Sequence, residues 1–402
     1  MYKILSLDGG GSWSVLQLLT LQEKYGNMSG HEILKKFDLI VANSGGSIVL
    51  AALSENYTLQ EALDLFYKAE NRSMIFSKNS FKEKFFPVGL IQLRSTFGPK
   101  YSTVRKKKAF EKLFPTVDTL PLSALPAHIG NPKLRIIIAT YDALNNRAKF
   151  FKSYGSEKPT FDSVPITKAI HGSSNAPIQY FDFPAKFKAG NTNTWYYLWD
   201  GALGGFNNPT VAALIEAIKA DIPLDNIKMV SLGTGKKLMS VEDKRDFYDN
   251  MDITIQNRFY KFRFSSWKHQ IAYFFSTVLN QAKTILYEPP DWANYVAMMF
   301  LRQAQNKDIP NNFIRLSPMI HIGKGTPEAV KPLLRKLYKL DMDLTRDEDV
   351  QLLTDAFTEW KAGNIKNQPI EYRLRHDKKK DEDELIYETG DEYFRQAMDR
   401  WT

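Results

Sequence analysis

Short apolar runs alternate with helically spaced apolar residues through the first 235 positions. Lys3–Leu7, Asp38–Val41, Arg135–Ala139 and Lys228–Leu232 are rich in Ile, Leu and Val, and Gly, Ser or Thr follows each within three residues. That is the pattern of strands buried on both faces. Between them lies helical spacing. In Val15–Tyr25 the residues Val15, Leu18, Leu19 and Leu21 fall on the apolar side, and similar spacing recurs in Ile48–Leu53, Leu59–Lys68 and Thr210–Ala220. Strands alternating with helices predict an α/β fold, a mostly parallel sheet covered on both faces. Phe150–Tyr154 and Tyr196–Leu198 add two candidate edge strands. After Thr234-Gly235 the texture changes. Residues 241–402 read as helices rich in aromatic and charged side chains, with breaks at Glu288-Pro289-Pro290 and Ile309-Pro310-Asn311-Asn312. The expected division is therefore residues 1–235, carrying the chemistry, and a mostly helical region, residues 236–402, completing or regulating it. The block Lys378–Glu384 reads as a solvated loop.

Two strand ends break into glycines. Asp8-Gly9-Gly10-Gly11 follows the first run, and Ala42-Asn43-Ser44-Gly45-Gly46 follows the second. The consecutive N–H groups of Gly9, Gly10 and Gly11 suit an oxyanion hole, where losing one donor costs about 10²–10³ in rate. A dinucleotide loop would need another glycine at Trp13 or Ser14, and a phosphate loop would need Gly-Lys-Ser/Thr; both are missing. Ser44 sits on a sharp strand-to-helix turn of the nucleophile-elbow kind, with Ala42 in the first glycine's place. The helix beginning near Gly45 points its positive end at the serine oxygen. Ser47 is the local rival for the same role.

A serine nucleophile needs a base. None of the six histidines follows a late strand end, and His171, the best placed, reads as structural. Asp200 is the stronger candidate. It ends the run Trp195–Trp199 and precedes Gly201-Ala202. A carboxylate at a strand end in apolar surroundings has its pKa raised toward the range of a working base. The competing reading of Asp200 is a helix N-cap.

Composition narrows the picture. Apolar residues make up 43% of the chain, enough for a substantial core, and there is no cysteine. This excludes a disulfide framework, a thiolate metal site and a cysteine nucleophile. No run approaches the ~18 apolar residues of a membrane span, and no secretory signal is expected ahead of the first strand. A cytoplasmic protein is the expectation. Its net charge of +9 and 13% aromatic content suit an anionic membrane better than nucleic acid, for which no recognition motif appears. Met74–Lys108 interleaves aromatics with basic residues, ending in Arg105, Lys106, Lys107 and Lys108, and reads as a lid or interfacial insertion. Phe259–Lys268 is a second stretch of that kind.

Taken together, Asp8-Gly9-Gly10-Gly11, Ala42–Gly46 and Asp200-Gly201-Ala202 resemble, in order, the marks of the patatin-like phospholipase family. Ala139–Asp142, Ser173–Pro177, Asn207-Asn208-Pro209 and Ser231–Gly235 extend the likeness over about residues 1–235. The resemblance implies a three-layer α/β/α fold, a Ser44–Asp200 dyad without histidine and a phospholipid or other acyl-lipid substrate. No cofactor or metal is expected. Three positions depart from the family. Trp13 stands where arginine is frequent, followed by Ser14 where glycine is usual, so a phosphate-bearing substrate would be held by other basic residues. Ala42 replaces the first elbow glycine. The alternatives on the same fold are an acyltransferase, or an effector switched on by a partner or by a small ligand such as a cyclic nucleotide.

Overall fold

The structure, a computed structural model, describes residues 1–79, 99–155, 164–177, 180–188, 195–238, 290–305 and 312–401. Among the described residues the central sheet has eight strands. β1 (Tyr2–Leu7), β2 (Leu39–Ala42), β3 (Arg135–Asp142), β7 (Ile227–Leu232) and β9 (Phe313–Leu316) run parallel in the order β3-β2-β1-β7-β9. β4 (Arg147–Lys152) and β6 (Trp195–Asp200) pair antiparallel with β3, β5 (Ala185–Lys188) pairs antiparallel with β6, and β8 (Lys236–Lys237) lies outside this sheet, paired with Met319–Ile320. Both faces are covered. Leu5, Leu7, Ile40, Ile138 and Leu232 pack with the helices Val15–Tyr25 and Ser44–Ser54. Ile4, Leu39, Val41, Ile137 and Met229 pack with Thr210–Lys219 and Pro290–Gln305. This is the α/β/α sandwich with a mostly parallel sheet, and alternation of side chains along each strand feeds the two cores.

Several local expectations change. The strand at Tyr196–Leu198 is not an edge, because β5 pairs along its outer side. The region after residue 235 has helices, including Lys331–Lys339 and Asp347–Lys361, but it also supplies the sheet's last strand, β9, beside β7. It carries as well an antiparallel hairpin of Glu371–Asp377 with Glu382–Thr389. The charge block at 378–384 is thus half turn and half strand. Residues 80–98 of the basic insertion and the whole of 259–268 lie outside the described residues. Among the described residues no helix is long and apolar enough to cross a membrane.

One feature of the sheet positions the chemistry. β4 occupies one edge of β3 from Ile137 to Asp142, which leaves the other edge for both β2 and β6. β2 runs up that edge and stops with Ala42 opposite Ile138, and β6 comes down it and stops with Asp200 opposite Thr140. The two strands meet head-on at Ala139. Asn43-Ser44 and Asp200-Gly201 must both leave the sheet there, at one point.

Candidate active site

The turn after β2 is tight and strained. Asn43 is still extended, at φ −133° and ψ 148°, and Ser44 then swings to φ +49° to open the helix Ser44–Ser54. Serine avoids this left-handed region, at a cost of about 1–3 kcal/mol, and such residues cluster at functional sites. Small neighbours permit the turn. A Cβ on Gly45 would meet the Gly11 carbonyl oxygen at 2.4 Å, and one on Gly46 would meet the Leu7 oxygen at 2.5 Å. Ser44 is nearly buried, yet it lines a cavity of about 320 Å³. Ser47 is fully buried and donates its hydroxyl to the Ser44 carbonyl at 2.6 Å, so that proton already has an acceptor.

Asp200 is fully buried at the end of β6 and lines the same cavity. Its Oδ1 accepts from Asn43 Nδ2 at 3.1 Å and from the Ala202 amide at 3.0 Å, and the nearby Ser44 side chain favours the charged form of the carboxylate as well. Burial raises its pKa above the ordinary carboxylate value; these hydrogen bonds and the charge of Lys106 pull it part of the way back. Asp200 also caps the 3-10 turn Gly201–Gly204, so the capping reading and the chemical one describe the same group. Ser173, ending the helix Ile166–Ser173, joins the two sides. Its Oγ accepts the Ser44 N–H at 2.9 Å and donates to Asn43 Oδ1 at 3.3 Å.

The glycine run is not uniform. The Gly9 N–H donates to the Asn207 carbonyl at 2.8 Å, so this amide is already used. Gly9 serves packing instead: a Cβ there would lie 2.2 Å from Asn207 Oδ1 and 3.0 Å from Ser44 Cβ. The amides of Gly10 and Gly11 have no acceptor among the described residues, and Gly11 sits at φ +58°. Of the three expected donors, two remain available, because Gly9 is the residue that ties the loop to Asn207. No described histidine hydrogen-bonds to Ser44 or Asp200; His269 lies outside the described residues. His171 is buried against Phe110, and burial holds its pKa well below the usual imidazole value.

The model of the family described as patatin-like phospholipase matches residues 5–214, just over half of the 402-residue chain. The chain belongs to the patatin-like phospholipase family. Membership places it among lipid acyl hydrolases. The solved structure of VipD from Legionella pneumophila is similar at 13% identity with a TM-score of 0.36, covering 88% of this chain and 67% of that one. No curated protein matches the chain.

Beyond the matched segment, the C-terminal region builds much of the patatin-like cavity. Arg315 of β9 is buried and its Nη2 pairs with Asp8 Oδ2 at 2.7 Å, while Nη1 donates to Ser231 Oγ at 2.7 Å and Nε to Gln368 Oε1 at 3.2 Å. Desolvation still raises Asp8 to about 6, above the model-peptide value of 3.8. Asp8 Oδ1 has no hydrogen-bond partner among the described residues. Trp13, at the position where the family often has arginine, donates its indole N–H to the Asp341 carbonyl at 2.9 Å. The Lys237 ammonium sits over its ring, 4.7 Å from the centroid, so a cation reaches this wall from another segment. A second, narrow and apolar space also opens at Ser44, walled by Ile48, Phe76, Phe181 and Met342.

The run Arg105–Lys108 requires a correction. It lies on the helix Thr103–Leu113 and is not one solvated cluster. Lys108 is exposed and Lys107 pairs with Glu111 at 3.4 Å, but Arg105 is tied to Asn79 at 2.9 Å and Lys106 is fully buried. Helical spacing explains the split: Lys106 shares its face with Ala109, Phe110 and Leu113, the buried residues of that helix. Sequence reasoning missed Arg315, Ser173 and Lys106. An arginine inside the apolar run Phe313–Leu316 and a lysine on a helix's apolar face were the available signals.

Proposed function

We propose that the protein hydrolyses the acyl ester of a phospholipid or related lipid with a Ser44–Asp200 dyad. Ser44 Oγ attacks the ester carbonyl while Asp200 takes its proton; the amides of Gly10 and Gly11 receive the negative charge on the carbonyl oxygen. The ester C–O bond then breaks, Asp200 returns the proton to the leaving alcohol, and water releases the acyl group by the same steps in reverse order of roles. The observation that carries this reading is the meeting, in one cavity, of a serine held at φ +49° with a buried carboxylate whose charged form that serine favours. The two free glycine amides and the cavity shared by Ser44, Asp200 and Gly10 support it. Residues 1–235 form the catalytic part in this reading, and 236–402 close the cavity through Arg315, Met342 and Gln368.

Access to lipid is read as peripheral docking on an anionic membrane from the cytoplasmic side. Val104 is 61% exposed and Phe183 54% exposed, and Thr103 Oγ1 donates to the Phe183 carbonyl at 2.7 Å. Val104 shares its helix face with Lys107 and Lys108, three and four residues on, and Phe183 is joined to the start of that helix, a pairing of apolar and basic groups suited to a lipid interface.

The decisive experiment is Ser44→Ala, which should abolish hydrolysis of a phospholipid and of a short soluble ester while the chain stays folded. Ser47→Ala should keep activity, because its hydroxyl serves the backbone. A fluorophosphonate should label wild type and Ser47→Ala but not Ser44→Ala. Labelling of Ser44→Ala at the wild-type rate would overturn the assignment.

A further inference from the structure

The helix Ile166–Ser173 ends in a turn that both halves of the site depend on. Ser173 Oγ accepts the Ser44 amide and donates to Asn43, and the Asn175 carbonyl accepts the Asp200 N–H at 3.1 Å. A shift of this turn moves Ser44 and Asp200 together. The carbonyls at a helix C-terminus have no partners inside the helix and carry its negative end. Here they meet a side chain from a different element. Lys106 Nζ donates to the His171 carbonyl at 3.2 Å and the Ser174 carbonyl at 2.9 Å, gripping the turn on either side of Ser173. The ammonium also lies over the Phe181 ring, 3.9 Å from its centroid.

We propose that Lys106 is a positioning residue for this site: a buried ammonium that clamps the turn at residues 171–175 and whose positive charge favours the ionised form of Asp200. A solvated surface lysine would do neither. Lys106 has no exposed surface, and it also lines the narrow apolar space at Ser44. Burying an ammonium is unfavourable unless it is hydrogen-bonded and paired. The groups that answer it are the two carbonyls, the Phe181 face and two carboxylates, Asp200 on β6 and Asp182 ahead of β5. His171, on the helix it grips, is the other titratable neighbour, and burial keeps it neutral. Burial draws the Lys106 pKa well below the usual lysine value, and the carboxylates draw it back up. The coupling is reciprocal. The Lys106 charge favours ionised Asp200, the form that can accept the Ser44 proton.

The proposal rests on the Ser44–Asp200 reading, and the test separates the two. Lys106→Met removes charge and donors at similar length; Lys106→Gln removes the charge and keeps a donor for the carbonyls; Lys106→Arg keeps both. Each is followed by thermal melting and by kcat and KM on a short soluble ester across pH. Without the charge Asp200 holds its proton more tightly, so the acid limb of kcat/KM should move up by about one pH unit in Met and Gln. At neutral pH kcat should fall on the order of ten-fold while KM changes little. Arginine should keep the wild-type acid limb, and Lys112→Gln, at an exposed position of the same helix, should change nothing. An unmoved acid limb in a folded Met or Gln variant overturns the proposal, provided Asp200→Asn is inactive in the same assay. If Asp200→Asn is active, the dyad itself fails instead. If only arginine folds, the cation belongs to the fold, and the positioning role is likewise overturned.

Discussion

A carboxylate acts as a base only while it is ionised. Asp200 is fully buried, and desolvation raises its pKa despite the Ser44 side chain and hydrogen bonds from Ala202 and Asn43. Activity should therefore decline as pH falls through a value above the ordinary carboxylate range. Asp200→Asn keeps the shape and most of the hydrogen bonds but removes basicity. Turnover should drop by about 10²–10⁴, the usual contribution of a general base. The same burial has a stability consequence with the opposite sign. A carboxyl whose folded pKa is raised binds its proton more tightly in the folded chain than in the unfolded one. Its stabilising contribution is full at low pH and is lost as pH rises through the folded value. Asp200→Asn carries no such charge, so it should melt no lower than wild type at pH 8 while being inactive. A markedly lower Tm there would mean that the carboxylate stabilises the fold and would remove the case for a stability–activity trade-off.

At the scale of elements, the elbow depends on how closely the helix Ser44–Ser54 approaches β1. A Cβ on Gly46 would meet two backbone oxygens, Leu7 at 2.5 Å and Asp8 at 2.7 Å, and backbone gives way less readily than a side chain. Gly46→Ala should cost about 1–3 kcal/mol in urea unfolding, the range for overpacking, and should lower activity by displacing Ser44. Gly26, at φ +64° with nothing within 4 Å of its added Cβ, is the control. Alanine there, in a backbone region nearly confined to glycine, should cost about 1–3 kcal/mol of strain and leave hydrolysis untouched. Equal losses of activity at both positions would show that close approach is not what the elbow glycine provides.

For the whole molecule, the C-terminal region reaches the reaction centre through Arg315. The buried Asp8–Arg315 pair is worth little as an absolute stabiliser, but breaking one side strands a charge, at about 3–5 kcal/mol. Arg315→Met should cost that much at pH 8. The loss should shrink as pH falls toward 5, because Asp8, raised to about 6 even with its partner, then takes up a proton. Adding Asp8→Asn should recover most of the stability at pH 8. A pH-independent loss would mean that Arg315 acts through Ser231 and Gln368 alone. Membrane docking is tested at the same scale. Val104→Asp with Phe183→Asp should weaken binding to vesicles containing anionic lipid and leave soluble-ester hydrolysis intact. Binding that survives both changes would move the interface elsewhere on the surface.

Strand runs, helical spacing and glycine breaks are local, and they carried the α/β class, the parallel strands β1, β2, β3 and β7, and the motifs around Ser44 and Asp200. These follow from short-range physics: side-chain periodicity and backbone sterics act over a few residues. What lay beyond them depended on partners distant in the chain. The strand β9 holds an arginine that has no meaning until Asp8, more than 300 positions earlier, is placed beside it. The Gly9 amide looks free in sequence and is engaged only because Asn207 folds back onto it. The convergence of Ser44 and Asp200 arises because β2 and β6 end on the same edge of β3, a property of strand pairing across the sheet. The run Arg105–Lys108 shows the limit most plainly. Four consecutive cations read as part of one interfacial insertion, yet the helix turns Lys106 inward, and the packed turn at residues 171–175 makes that burial tolerable by supplying the carbonyls an ammonium needs.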